Sequence, residues 1–108
     1  MSFRSDSLLW HNIWMYTIRN IREVNKMRIV ICDDDILVIR QIECLIKTFF
    51  EIKSIKCPEI ISFSSGESLL ADKGAKDIIF LDIEMPGING IYVGKELKKA
   101  NDRSIIFI

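Results

Sequence analysis

Apolar and polar positions change their period several times along this chain. Leu9, Trp10, Ile13, Trp14, Thr17, Ile18 and Ile21 recur at helical spacing, with Arg19, Arg22 and Glu23 gathering toward the end. That pattern predicts an amphipathic helix. After Arg28 the period gives way to an unbroken apolar run, Ile29-Val30-Ile31-Cys32, closed by Asp33-Asp34-Asp35. A short run of this kind reads as a strand buried on both faces. Over residues 36–50 the helical period returns, with Val38, Ile39, Ile42, Leu45, Ile46 and Phe49 on one face and Arg40, Glu43 and Lys47 opposite. Asp34 or Asp35 is placed to cap that helix.

A loop around Pro58 leads to a strand over residues 60–63. Ser64-Ser65-Gly66-Glu67 has capping-box spacing and opens a short helix that runs to about residue 71, ended by Lys73-Gly74-Ala75. Residues 77–81 form a third strand, with Asp82 at its tip. Pro86-Gly87 and Asn89-Gly90 mark a turn-rich loop. A helix follows over residues 91–100, Val93 and Leu97 inward and Lys95, Lys98 and Lys99 outward, and a fourth strand begins at Ser104.

From Met27 onward strands and helices alternate, which predicts an α/β domain built on a doubly wound parallel sheet. In such sheets ligands bind outside the carboxyl ends of the strands. Asp33, Asp34 or Asp35 taken singly reads as a helix cap, and Asp82 singly as a loop-start carboxylate. If the first and third strands are parallel neighbours, these carboxylates meet at one sheet edge. The cluster repels itself and invites a hard divalent cation such as Mg²⁺.

Composition narrows the reading. At 108 residues the chain makes one domain, and a 49% hydrophobic share supplies a core. Formal net charge is zero, which gives no electrostatic case for nucleic acid. Residues 1–26 hold Arg4, Arg19, Arg22 and Lys26 against Asp6 and Glu23, so the acidic excess lies in the remainder, with the cluster. Cys32, Cys44 and Cys57 match neither a disulfide framework nor zinc spacing and read as reduced thiols of a cytoplasmic protein. No spanning segment or signal peptide is evident. Residues 1–26 have three readings: an appendage upstream of a start at Met27, a helix packed on the domain, or, through residues 8–21, a membrane-surface anchor with only slight basic excess.

The two strand tips carry a resemblance. Ile-Val-Ile-Cys-Asp33-Asp34-Asp35 and, about fifty residues on, Ile-Ile-Phe-Leu-Asp82-Ile-Glu-Met-Pro86-Gly-Ile-Asn-Gly90 together resemble the receiver domain of two-component response regulators, most closely the LytR/AgrA-type (LytTR) branch. The resemblance covers about residues 27–108. It implies a flavodoxin-like fold with sheet order 2-1-3-4. Asp82 would be the phosphoacceptor, Asp34 a direct Mg²⁺ ligand and Asp33 a ligand through water. Glu84 would offer its backbone carbonyl to the metal. The partner implied is a sensor histidine kinase, and the output of the full-length protein is transcription. The chain would not be an enzyme beyond its own phosphorylation.

The chain departs from that pattern at its end. A receiver continues past the fourth strand with a Ser or Thr, a fifth strand bearing a Lys, and further helices, whereas this sequence stops at Ile108. The expectation is a fragment, without nucleic-acid binding of its own. Its fourth strand would present an apolar edge able to recruit a second copy. Stability would be marginal, with the helix around residues 10–21 covering part of the face left bare. The competing reading is a receiver remnant that binds partners without switching. A nucleotide hydrolase would need a phosphate-binding glycine loop, and Gly66 and Gly94-Lys95 lie in no such pattern.

Overall fold

The computed structural model describes residues 7–87, 89–101 and 105–107. Ile88, Ser104 and Ile108, which the sequence reading placed in the turn-rich loop and the fourth strand, lie outside the described residues. Helix α1 spans Ser7–Arg19 and passes through a 3₁₀ segment, Ile21–Lys26, into strand β1, Arg28–Cys32. Then follow α2 (Ile36–Ile52), β2 (Glu59–Phe63), α3 (Gly66–Ala71), β3 (Ile78–Leu81), α4 (Gly90–Ala100) and β4 (Ile105–Phe107). The four strands form one sheet in the order β2-β1-β3-β4, every pair parallel. Both the alternation and the strand order match the sequence-based expectation.

The two-residue period of β1 and β3 divides the core into two clusters. Ile29, Ile31, Ile78 and Phe80 face one side with Ile39, Ile42, Ile46 and Phe50 of α2. Val30, Cys32, Ile79 and Leu81 face the other, with Leu69 of α3 and Val93 and Leu97 of α4. Both faces are covered, so β1 from Ile29 onward and the whole of β3 carry no charged residue. On α2 the fully buried aromatic is Phe50; Phe49, which the helical pattern had pointed inward, is half-buried and receives α1.

Helix α1 belongs to the first cluster. Leu9 and Ile13 are each 2% exposed, and Thr17, one further turn along, is sealed with its hydroxyl donating to the Ile13 carbonyl at 2.8 Å. Trp10 stacks on Phe49 at 5.1 Å between ring centres and Trp14 meets the same ring edge-on at 6.4 Å. Lys53 Nζ lies 4.6 Å from the centre of the Trp14 ring, a cation–π contact. The apolar stripe is narrower than the sequence pattern drew it, since Ile18 and Ile21 are exposed. Burying a residue of the size of Leu9 or Ile13 is worth about 1.5–3 kcal/mol.

Helix starts are set locally. Asp35, not Asp34, caps α2, its Oδ1 accepting the Leu37 amide at 2.9 Å. Ser65, rather than Ser64, caps α3, its Oγ accepting the Ser68 amide. Asn89 Oδ1 accepts the Ile91 amide at 2.7 Å and starts α4.

At the amino ends of the strands a polar network ties four segments together: α1, β1, β2 and the connection from α3 to β3. The Arg28 guanidinium donates to Asp72 Oδ2 and to the Ala75 carbonyl, and pairs with Glu59. Lys76 Nζ donates to the carbonyls of Asp72 and Gly74. Asp77 accepts the Arg28 amide on one oxygen and the Tyr16 hydroxyl of α1 on the other, each at 2.9 Å. Among the described residues no helix is long and apolar enough to cross a membrane.

Candidate functional site

The register of the parallel strands builds the site. Cys32 of β1 stands level with Leu81 of β3, so the next residues, Asp33 and Asp82, leave the sheet side by side. The exit is fixed by two further backbone bonds: the Asp82 amide donates to the Cys32 carbonyl at 3.0 Å, and the Asp33 amide to the Phe63 carbonyl of β2 at 3.1 Å. Asp33 is 4% exposed, Asp82 half-buried and Asp34 exposed. One carboxylate oxygen from each of the three lies within 4.8 Å of the others. Of the residues singled out in the sequence, these three come together. Asp35 is spent on capping α2. The Glu84 carboxylate is not in the cluster, but its amide donates to Asp82 Oδ1 at 2.9 Å and curls the loop back over the strand tip.

Electrostatics follow from that crowding. Burial pushes the Asp33 carboxyl above its ordinary range, the Asp35 amide on its Oδ1 opposes this, and the charges of Asp82 and Asp34 push it further up. Among the described residues no Lys, Arg or His forms an ion pair with any of the three. Hard oxygen donors, like charge and no protein cation are the conditions under which a small divalent ion binds. Three carboxylates converging within 4.8 Å are the donor set that would hold such an ion and supply neutralising charge to the cluster.

The floor of the site was not anticipated from sequence. Cys32 Sγ points to the Ser65 carbonyl at 3.4 Å and the Met85 sulfur at 3.7 Å. Its thiol is pushed up to about 12 by burial, then by the charges of Asp33, Asp82 and Glu67, so it is inert as a nucleophile. Met85, read in the sequence as part of a loop, is only 7% exposed and anchors that loop in the second core cluster. The one signal for it was a large apolar side chain among turn residues.

Two glycines finish the loop. Gly90 begins α4 against the backbone of Ile83, where a Cβ would stand 2.4 Å from the Ile83 Cα. Gly87 has φ +94° and faces the Glu67 carboxylate of α3, where a Cβ would come within 2.8 Å of Oε1. Both positions require glycine.

Comparison with known proteins gives a consistent answer. Residues 29–108 match the response regulator receiver domain family. The sensory transduction protein LytT of Oceanobacillus iheyensis is 37% identical over 86 residues, which cover 77% of this chain and 33% of LytT. The chain thus spans about a third of the length of that curated relative. The response regulator DrrB of Thermotoga maritima superposes with a TM-score of 0.63 at 19% identity, over 74% of this chain and 33% of that one. The response regulator TrrA of the same organism, solved in complex with Mg²⁺-BeF, is 33% identical with a TM-score of 0.54, over 74% of this chain and 65% of that one. TrrA has also been solved bound to the histidine kinase ThkA.

Proposed function

Because this chain belongs to the response regulator receiver domain family of two-component signalling, we propose that Asp82 accepts a phosphoryl group from a sensor histidine kinase. Asp33, Asp34, Asp82 and the backbone carbonyl of Glu84 would hold Mg²⁺. The observation that carries the reading is the convergence of three carboxylates at adjoining strand tips, with no ion pair to any of them among the described residues. A carboxylate oxygen of Asp82 forms the new bond to phosphorus as the phosphorus–nitrogen bond to the kinase histidine breaks, leaving an aspartyl phosphate and a neutral imidazole. Phosphoryl transfer asks the protein mainly for positioning and charge neutralisation. Mg²⁺, when bound, neutralises the phosphoryl oxygens and the carboxylates together.

The three aspartates are suited to different tasks. Asp33 is buried and held by the Asp35 amide, so it is a fixed charge. Asp82 is more open and keeps one oxygen beyond the one that accepts the Glu84 amide. Around them Ile36 and Leu37 at the start of α2, and Ile83 after Asp82, stand exposed. This apolar rim is the natural contact for a kinase, of the sort with which TrrA was crystallised. Control of transcription from the cytoplasm is the output proposed for a regulator that carries this domain, on the resemblance of the Asp82 motif to the LytTR branch.

The test is intact-mass measurement after incubation with acetyl phosphate and Mg²⁺. The parent chain should gain one phosphoryl adduct, and Asp82→Asn should gain none. An adduct that persists in Asp82→Asn would place the acceptor elsewhere. A folded parent with no adduct would leave a module that binds partners without switching.

A further inference from the structure

The loop between β3 and α4 is held at each end by its own neighbours: Asp82 bonds to the Glu84 amide, and Gly90 packs on Ile83. Its tip is different. Gly87 is met from outside by Glu67, carried on the first turn of α3, whose carboxylate oxygens crowd the space a Cβ would occupy at 2.8 and 3.6 Å. Helix α3 is itself fixed, through its Ser65 cap and the wholly buried Leu69. The Ser65 carbonyl also receives Cys32 Sγ, on the strand that leads to Asp33. Glu67 is therefore mounted on a rigid support beside the site and bears on the most conformationally demanding residue of the loop. The loop in turn carries Glu84, whose amide bonds to Asp82 and whose carbonyl is the ligand proposed above.

We infer that Glu67 is a positioning residue. Its side chain props the loop at Gly87 and so holds Glu84 in register with Asp82. A carboxylate here is not explained by the cap of α3, which Ser65 already provides. The inference rests on the functional reading above for what the loop is held for, but not for whether it is held.

The test uses the full chain and three variants: Glu67→Ala, Glu67→Gln and Ser65→Ala. Amide hydrogen exchange at Glu84 and Met85, followed by NMR without metal, reads the prop directly. Glu67→Ala should raise exchange there severalfold, and the isosteric Glu67→Gln should restore parent behaviour. Ser65→Ala loosens the helix that carries Glu67 but leaves Leu69 buried, and should raise exchange at both amides less than Glu67→Ala does. Mg²⁺ titration followed by the same resonances should show about a tenfold loss of affinity in Glu67→Ala, the scale of removing a support behind a metal ligand, and little change in Glu67→Gln. The inference is overturned by unchanged exchange in Glu67→Ala, by an equal effect of Ser65→Ala, or by a Gln variant as impaired as Ala. A parent that binds no Mg²⁺ would instead count against the functional reading, and the exchange data would still decide whether Glu67 props the loop.

Discussion

The two ends of this sheet treat aspartate in opposite ways. At the amino ends of the strands, Asp72 and Asp77 are enclosed by donors: Arg28, Lys76, the Tyr16 hydroxyl and a backbone amide. Burial would push the Asp72 carboxyl up, but the bonds from Lys76 and Arg28 outweigh it and hold the group below its ordinary range. At the carboxyl ends, Asp33 is also pushed up by burial, and there its neighbours are Asp82 and Asp34, which add to the rise. One end spends its carboxylates on joining segments. The other gathers its carboxylates within 4.8 Å of one another, with no ion pair to any of the three among the described residues, so that they repel. The lesson is that burial alone does not set the charge balance of an aspartate; the sign of what surrounds it does.

The largest stability effect should come from removing what the amino-terminal end holds. Deleting residues 1–26 takes away Leu9 and Ile13 from the core and Tyr16 from Asp77. Each large-to-small core loss costs about 2–5 kcal/mol, against a total of about 5–15 kcal/mol for a domain. Circular-dichroism melting should show a collapse of the transition or its loss, and an unchanged melt would mean that α1 is not part of the folded unit. Asp77→Ala comes next. It strands the Arg28 amide and the Tyr16 hydroxyl, at a cost of about 2 kcal/mol, or roughly 10 °C in Tm for a domain of this size. Its counterpart at the other end, Asp82→Asn, should leave Tm level or raised. If both ends lost stability alike, the contrast between paired and unpaired carboxylates would fail.

Much of this contrast was legible in the sequence at one end only. The apolar runs ending in Asp33 and Asp82 announce themselves, because a strand buried on both faces has no polar residue until it leaves the sheet. Sheet order and parallel pairing then bring the tips together without further information. The other end gives no such signal. Asp72 and Asp77 look like ordinary loop and strand-start charges, and their partners lie 44 and 61 residues away in sequence, at Arg28 and Tyr16. The amphipathic pattern of α1 was plain, but a helical period says which face is buried and not against what. Phe49 and Phe50 differ by one step of about 100° on the helix, finer than apolar periodicity resolves when both are aromatic. The approach of Glu67 to Gly87 joins helix α3 to the β3–α4 loop, and no local pattern encodes it.

The smallest effect expected has the opposite sign and tests the unpaired end most directly. The folded-state pKa of Asp33 lies above its unfolded value. Between the two, the folded protein holds a proton that the unfolded chain has released, so stability falls as pH rises through that window. At neutral pH, without metal, ionised Asp33 is thus a net cost to the fold. Asp33→Asn removes the charge and keeps an oxygen for the Asp35 amide, which sits 2.9 Å from Oδ1. In EDTA at neutral pH its Tm should exceed the parent's by a few degrees, the scale of less than about 1 kcal/mol. The gain should shrink below about pH 4, where the parent's carboxylates take up protons as well. Added Mg²⁺ should narrow or reverse the gap, because a ligand that binds only the folded parent stabilises it by mass action. A variant less stable than the parent in EDTA at neutral pH would show that the cluster carries no charge strain, and the two ends of the sheet would then differ in partners but not in energy.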